Sequence, residues 1–170
     1  YFVIIHIMIS LKINDINNFM QKLLIGNDFD SFLLCEGEVD TSNTFTINGR
    51  INQKFYNADE LEAIPDEFVY WRDVKHIFFE MIKGHKVPSK MKLVFAFSKT
   101  KYSDILTKSQ MAISESEIGG LYIHVMFEDN SLHIITGTSI NTFTMDKTLD
   151  KYWDKTISNF LSEHFNCDLL

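Results

Sequence analysis

Leu121-Tyr122-Ile123-His124-Val125-Met126-Phe127 and Leu132-His133-Ile134-Ile135-Thr136 flank the polar turn Glu128-Asp129-Asn130-Ser131. Two runs rich in β-branched and aromatic residues, closed by turn formers, predict an antiparallel hairpin. Pairing Phe127 with Leu132 sorts Leu121, Ile123, Val125, Phe127, Leu132 and Ile134 onto one face. A slip of one residue would scatter that face, so the pattern sets the register. The other face carries His124 and His133 as diagonal neighbours.

Helical spacing surrounds the hairpin. Leu149, Trp153, Ile157, Phe160 and Leu161 form the stripe of a helix over about 148–165. Trp71, Val74, Ile77, Phe78, Met81 and Ile82 form another over about 68–83, and Met91 to Phe97 is a strand between the two. Asn57-Ala58-Asp59-Glu60 has the capping-box pattern of a short helix. Further back, Phe32–Val39 and Thr44–Ile51 alternate as a second hairpin, with Val39 opposite Phe45, Gly37 opposite Ile47 and Leu33 opposite Ile51. Ile16, Phe19, Met20, Leu23 and Leu24 share a helix face; Asn14 or Asp15 caps its start, and Gly26 fits a left-handed position at its end. Hairpins and helices are interspersed, and few strands are joined by a helix of crossover length. The fold class expected is α+β, a mostly antiparallel sheet of six to seven strands with three to four packed helices.

The 170 residues suit one domain, 1–170. Thr41-Ser42-Asn43-Thr44-Phe45-Thr46 echoes Thr138-Ser139-Ile140-Asn141-Thr142-Phe143-Thr144, and strand, helix, hairpin and long helix recur in that order. The halves 8–84 and 91–166 would then be βαββα repeats; the alternative is that Asn-Thr-Phe-Thr is simply a good strand start. Apolar types make up 45% and 15 residues are Phe, which excludes a disordered chain. Two cysteines exclude a disulfide framework and a cysteine-based zinc ribbon. Net charge is −7, and Arg50 and Arg72 are the only arginines, which argues against nucleic acid as partner. Tyr1–Ile9 is apolar but too short to span a membrane. It reads either as a buried strand or as an extension preceding Met8. The expectation is a cytoplasmic protein with reduced thiols and no membrane partner.

Candidate chemistry is sparse. His124 and His133, joined by Glu128, could hold a metal, although no HExxH pattern or neighbouring His/Cys cluster supports it. Glu36, Glu38 and Asp40 share a strand face; crowding favours acid–base use or a hard cation, whereas Arg50, Thr44 and Thr46 opposite would neutralise them. Cys35 falls on the apolar face with Leu33 and Val39, where a thiol is inert. Lys83, His85, Lys86, Lys90 and Lys92 form the one basic cluster, either an anion site or a complement to a helix C-terminus. No Walker A loop, GxGxxG or GxSxG is present, and no cofactor is expected.

Leu11-Lys12-Ile13 through Phe19 to Leu24, then Asn43-Thr44-Phe45-Thr46-Ile47-Asn48-Gly49-Arg50-Ile51, then Thr136-Gly137-Thr138-Ser139 with Thr142-Phe143-Thr144-Met145-Asp146-Lys147 resemble an uncharacterised bacterial family of unknown function. The resemblance covers nearly the whole chain after Met8 and implies no activity or site. Gly120 to Asp146 is also similar to the hairpin of sliding-clamp modules, but the chain is too long for one module and too short for two. The function expected is a non-enzymatic domain acting through protein–protein contacts, with an unknown protein or a second copy of itself. The alternatives are a metal-dependent or acid–base enzyme using His124, His133 and the Glu36/Glu38/Asp40 face, and a clamp-like accessory of nucleic-acid enzymes.

Overall fold

A computed structural model describes residues 6–84 and 86–170, with the side chains of 6–8 excepted. The expected strand over Tyr1–Ile9 is present from His6; Tyr1–Ile5 and His85 lie outside the described residues. In chain order the strands are β1 His6–Ile13, β2 Leu33–Asp40, β3 Thr44–Asn48, β4 Val69–Tyr70, β5 Lys90–Ala96, β6 Ile118–Glu128, β7 Ser131–Ile140 and β8 Cys167–Leu169. The helices are α1 Ile16–Leu24, α2 Ala58–Glu62, α3 Trp71–Ile82, α4 Tyr102–Ser109 and α5 Thr148–His164. The fold is α+β, with more strands than the local patterns showed.

Every strand pairing is antiparallel, in the order β3-β2-β5-β6-β7-β1-β8, with β4 continuing beside β2. Phe127 faces Leu132 and Val39 faces Phe45, as their alternation requires. β5 adjoins β6, while β1 stands beyond β7, so the two parts of the chain share an element order without equivalent strand pairings.

Alternation gives the sheet two faces. Leu34, Val39, Met91, Leu93, Phe95, Leu121, Ile123, Val125, Leu132 and Ile134 turn to one side. There they pack against Phe19 and Leu23 of α1, Trp71 and Phe78 of α3, Ile105 of α4, and Leu149, Trp153, Ile157 and Leu161 of α5. Apolar burial on this scale is the main stabilising term. Both tryptophans satisfy their indole N–H inside it: Trp71 donates to the Leu23 carbonyl at 2.7 Å and Trp153 to the Tyr122 carbonyl at 3.0 Å. Asp15 caps α1, and the Asn57–Glu60 box caps α2 in both directions.

Three local expectations are corrected. β3 stops at Asn48, so Leu33 meets Ala96 and Tyr70 rather than Ile51, whose N–H bonds the Glu67 carbonyl. The chain before α3 is held extended by the Arg50–Phe68 bridge and by β4, so that helix starts at Trp71 instead of Phe68. Gly26 is not left-handed; among the described glycines only Gly84 has a positive φ. Among the described residues no helix is long and apolar enough to cross a membrane.

Candidate functional site

The helix-free face is hollowed into a cleft of about 790 Å³ that is partly open to solvent. Four strands build it. β2 supplies Cys35, Glu36 and Glu38, β3 supplies Thr46 and Asn48, β5 supplies Lys92 and Val94, and β6 supplies Tyr122 and His124; Arg50 and Phe68 close one end. The β-strand period of two places these residues there, because their neighbours in sequence fill the core.

A β-bulge decides where Cys35 goes. Leu34 pairs with Phe95 and Glu36 pairs with Val94, which leaves Cys35 as the extra residue on β2. The bulge shifts the alternation by one, so Leu34 rather than Leu33 shares the core side with Gly37 and Val39. Cys35 therefore does not join the apolar face; it lines the cleft. Burial, reinforced by the Glu36 charge, pushes its thiol up to about 12. It stays protonated at neutral pH and is no nucleophile there.

The acids are spoken for by lysines one strand over, and not by the residues opposite them on β3. Lys92 meets Glu36 at 3.1 Å and Lys90 meets Glu38 at 2.8 Å. The Glu38 carboxylate also holds the Lys90 ammonium above its usual range. Arg50 lies 3.6 Å from Glu67 and over the Phe68 ring at 5.1 Å, while Lys99 bonds Glu67 at 2.9 Å and is the main reason that carboxyl sits low. Exposed pairs of this sort contribute little to stability. They set the charge pattern more than the stability. Asp40 Oδ1 is buried without a hydrogen-bond partner among the described residues.

His124 is half-buried, and burial followed by the Lys92 charge lowers its pKa. The ring is neutral at neutral pH and offers an acceptor nitrogen to the cleft. Tyr122 has its phenol pushed up, chiefly by burial, and it lies back over Gly120, where any Cβ would come within 2.2 Å of the hydroxyl. His133 shares the face but sits opposite Met126, outside the cleft, with a 3.0 Å contact to Ser131 Oγ. Among the described residues no three His, Cys, Asp or Glu side chains gather as a metal site, so His124, His133 and Glu128 do not converge. The lysine cluster is divided as well: Lys83 pairs with Glu80, Lys86 is exposed, and Lys90 and Lys92 belong to the sheet face.

The His124 environment has a pH signature. At about pH 6.5, the ordinary histidine value, the unfolded chain begins to take up a proton that the folded site resists. The unfolded state then binds more protons, so stability falls as pH drops through that value. His124→Gln is expected to flatten this part of the stability curve. Urea midpoints measured from about pH 8 to about pH 5 in both proteins check it; parallel curves would place the titration elsewhere.

Sequence reasoning missed two polar clusters, built on the buried Asp66 and Asp150. Asp66 accepts from Tyr70 Oη at 3.0 Å and from Ser98 Oγ at 2.9 Å. On α5, Asp150 accepts from the Thr138 hydroxyl and Asp154 from Thr136 Oγ1 at 2.5 Å. Both threonines point to the helix side. The one signal was their position: Thr136 and Thr138 continue the core alternation of β7 beyond Ile134.

Sheet, helices and cleft define an α+β protein whose antiparallel sheet is covered on one side and left open as a charged, aromatic-lined hollow on the other. The chain belongs to the family of unknown function DUF5721, whose family model matches residues 22–165. No curated protein and no solved structure matches it.

Proposed function

We propose that this is a non-enzymatic cytoplasmic domain that works by protein–protein contact, receiving an extended segment of a partner in the cleft on the helix-free face, without a cofactor. The observation that carries this reading is the content of the cleft. Arg50 and Tyr122 are residue types enriched in binding hot spots, and Phe68 is of a type enriched at interfaces. The acids and lysines beside them are already paired, and the thiol is held protonated. Nothing there couples a nucleophile to a base. Small-molecule sites enclose most of their ligand, whereas this hollow lies partly open to solvent. The unpaired Cys35 and Cys167 suit a reducing compartment.

Selection of a random peptide library on the immobilised protein tests the reading. Enriched peptides are expected to lose about tenfold or more in affinity on Tyr122→Ala and to be unaffected by Lys155→Ala on the exposed side of α5. Enrichment that ignores Tyr122, or none, would reject it.

His124 favours a second reading. A neutral imidazole beside Tyr122 could serve as a general base for a bound substrate. Turnover of any compound in a hydrolase substrate panel, lost in His124→Gln, would replace binding with catalysis. For a clamp-like role, three of the four described lysines of the cluster are already ion-paired; DNA retention at low salt that depends on Lys86 would be its evidence.

A further inference from the structure

Among the described residues β3 ends the sheet, and no strand covers its outer edge. The Gly49 N–H donates to the Cys35 carbonyl, and Thr41 N–H bonds Asn43 across the hairpin. Backbone groups alternate sides along a strand, so Phe45 and Ile47 bond inward to β2. The N–H and C=O of Thr44, Thr46 and Asn48 then point outward, where β3 pairs with no further strand. Edge strands are normally blunted by a charge, a proline or a bulge. Thr44-Phe45-Thr46-Ile47-Asn48 has none of these, and Phe45 is left 37% exposed.

We propose that this edge pairs with the same edge of a second copy, antiparallel about a two-fold axis through Thr46, joining two sheets into one. The proposal rests on the protein-contact reading above and names one partner for it. Self-complementarity points to a copy of this chain. With Thr46 opposite Thr46, Thr44 falls opposite Asn48 and Phe45 opposite Ile47, in both directions. The three outward-pointing residues are those that the antiparallel ladder pairs, so every free N–H and C=O of the edge finds a partner. Thr46 also meets its own hydroxyl, and Phe45 covers Ile47 on the helix side.

Charge agrees. A chain of net charge −7 repels its copy over most of its surface. β3 carries no charge, and Glu36 and Glu38 behind it are matched by Lys92 and Lys90. A residue on a two-fold axis faces itself, so a charged one there would be penalised; Thr46 is not. The axis stands perpendicular to the sheet, which puts both clefts on the same side. A partner with two binding segments would engage both at once and gain avidity.

Sedimentation equilibrium of the full chain over a wide concentration range tests this. The mass is expected to rise from 19.8 kDa towards twice that value. Thr46→Lys, which sets like charges together on the axis, is expected to hold the chain monomeric and to melt like the wild type at concentrations where the wild type is monomeric. In a Cys167→Ser background, Thr46→Cys should give a reducible disulfide dimer, since paired Cα atoms in this register lie about 5.5 Å apart. Asn43→Cys should not. A wild type that stays monomeric, a dimer that survives Thr46→Lys, or the absence of the Thr46→Cys disulfide would overturn the pairing. Because Thr46 also lines the cleft, peptide capture is read on the wild type at concentrations below and above its dimerisation, so the two readings fail separately.

Discussion

Replacing Phe78 with alanine is expected to destabilise the fold by about 3–5 kcal/mol. The ring is 1% exposed and lies directly over Gly37 of β2, where an added Cβ would come within 2.5 Å of Phe78 Cζ. Glycine at that position makes the space, and the phenyl ring occupies it. Trp71 flanks the ring with a centroid distance of 5.0 Å and is itself fully buried. Once the ring is gone, Gly37 beneath it has no side chain to lean into the void. Cost rises with the cavity that cannot close, so the upper part of the range is expected. Phe160 gives the comparison. It packs edge-on against Phe29 at 5.5 Å and Phe32 at 5.8 Å but is only partly buried, so Phe160→Ala should cost less. Urea unfolding reads both: the midpoint falls while the slope holds. An unchanged midpoint for Phe78→Ala would mean that α3 turns another face to the sheet.

Local pattern reached the elements whose partners lie close in sequence. The β6–β7 hairpin was legible because seven consecutive pairs of its register, from Tyr122↔Gly137 inward, need only alternation and a turn. α1 and the α2 capping box were legible because their signals lie within a turn of helix. The elements that local pattern missed depend on distant contact. β4 is two residues long and exists only because Leu33 and Leu34 accept it as a neighbour. β8 contains Asp168 and ends in exposed leucines, so no periodicity marks it; it forms by pairing with Leu11 to Ile13 of β1.

The site was half legible for the same reason. His124, Glu36 and Glu38 follow from alternation, which places them opposite the core. Their grouping does not, because β5 is inserted between β2 and β6 and brings Lys90 and Lys92 to the acids. Cys35 was misplaced because a bulge breaks the period of two without a composition signal. Arg50 and Phe68 meet Tyr122 at one cleft only after the chain between Gly49 and Val69 has looped away and returned. A cleft assembled from four strands is thus less visible in sequence than the core beneath it.

That return makes Gly49 the second position where a large effect is expected. Its N–H donates to the carbonyl of the bulged Cys35 and its carbonyl accepts from Val69 N–H, both at 2.9 Å, so β2, β3 and β4 meet at this residue. A Cβ here would lie 1.8 Å from the Leu34 carbonyl oxygen and 2.6 Å from its carbon. Both are backbone atoms, and no rotamer change relieves the overlap. Gly120 is a milder case, because the atoms in the way belong to the Tyr122 side chain, which can swing aside. Overpacking in a well-packed region costs about 1–3 kcal/mol, occasionally more. Gly49→Ala is expected at or above that range, since a strand junction must move. The shift would also carry Arg50 away from Phe68 and Glu67, and so open the end of the cleft. Two readouts follow from one substitution: a lower urea midpoint, and faster hydrogen exchange at the Gly49-position and Val69 amides, which the junction now protects. If both amides kept their protection and the midpoint held, the close approach of β3 to the Leu34 carbonyl would be wrong, and with it the bulge that turns Cys35 into the cleft.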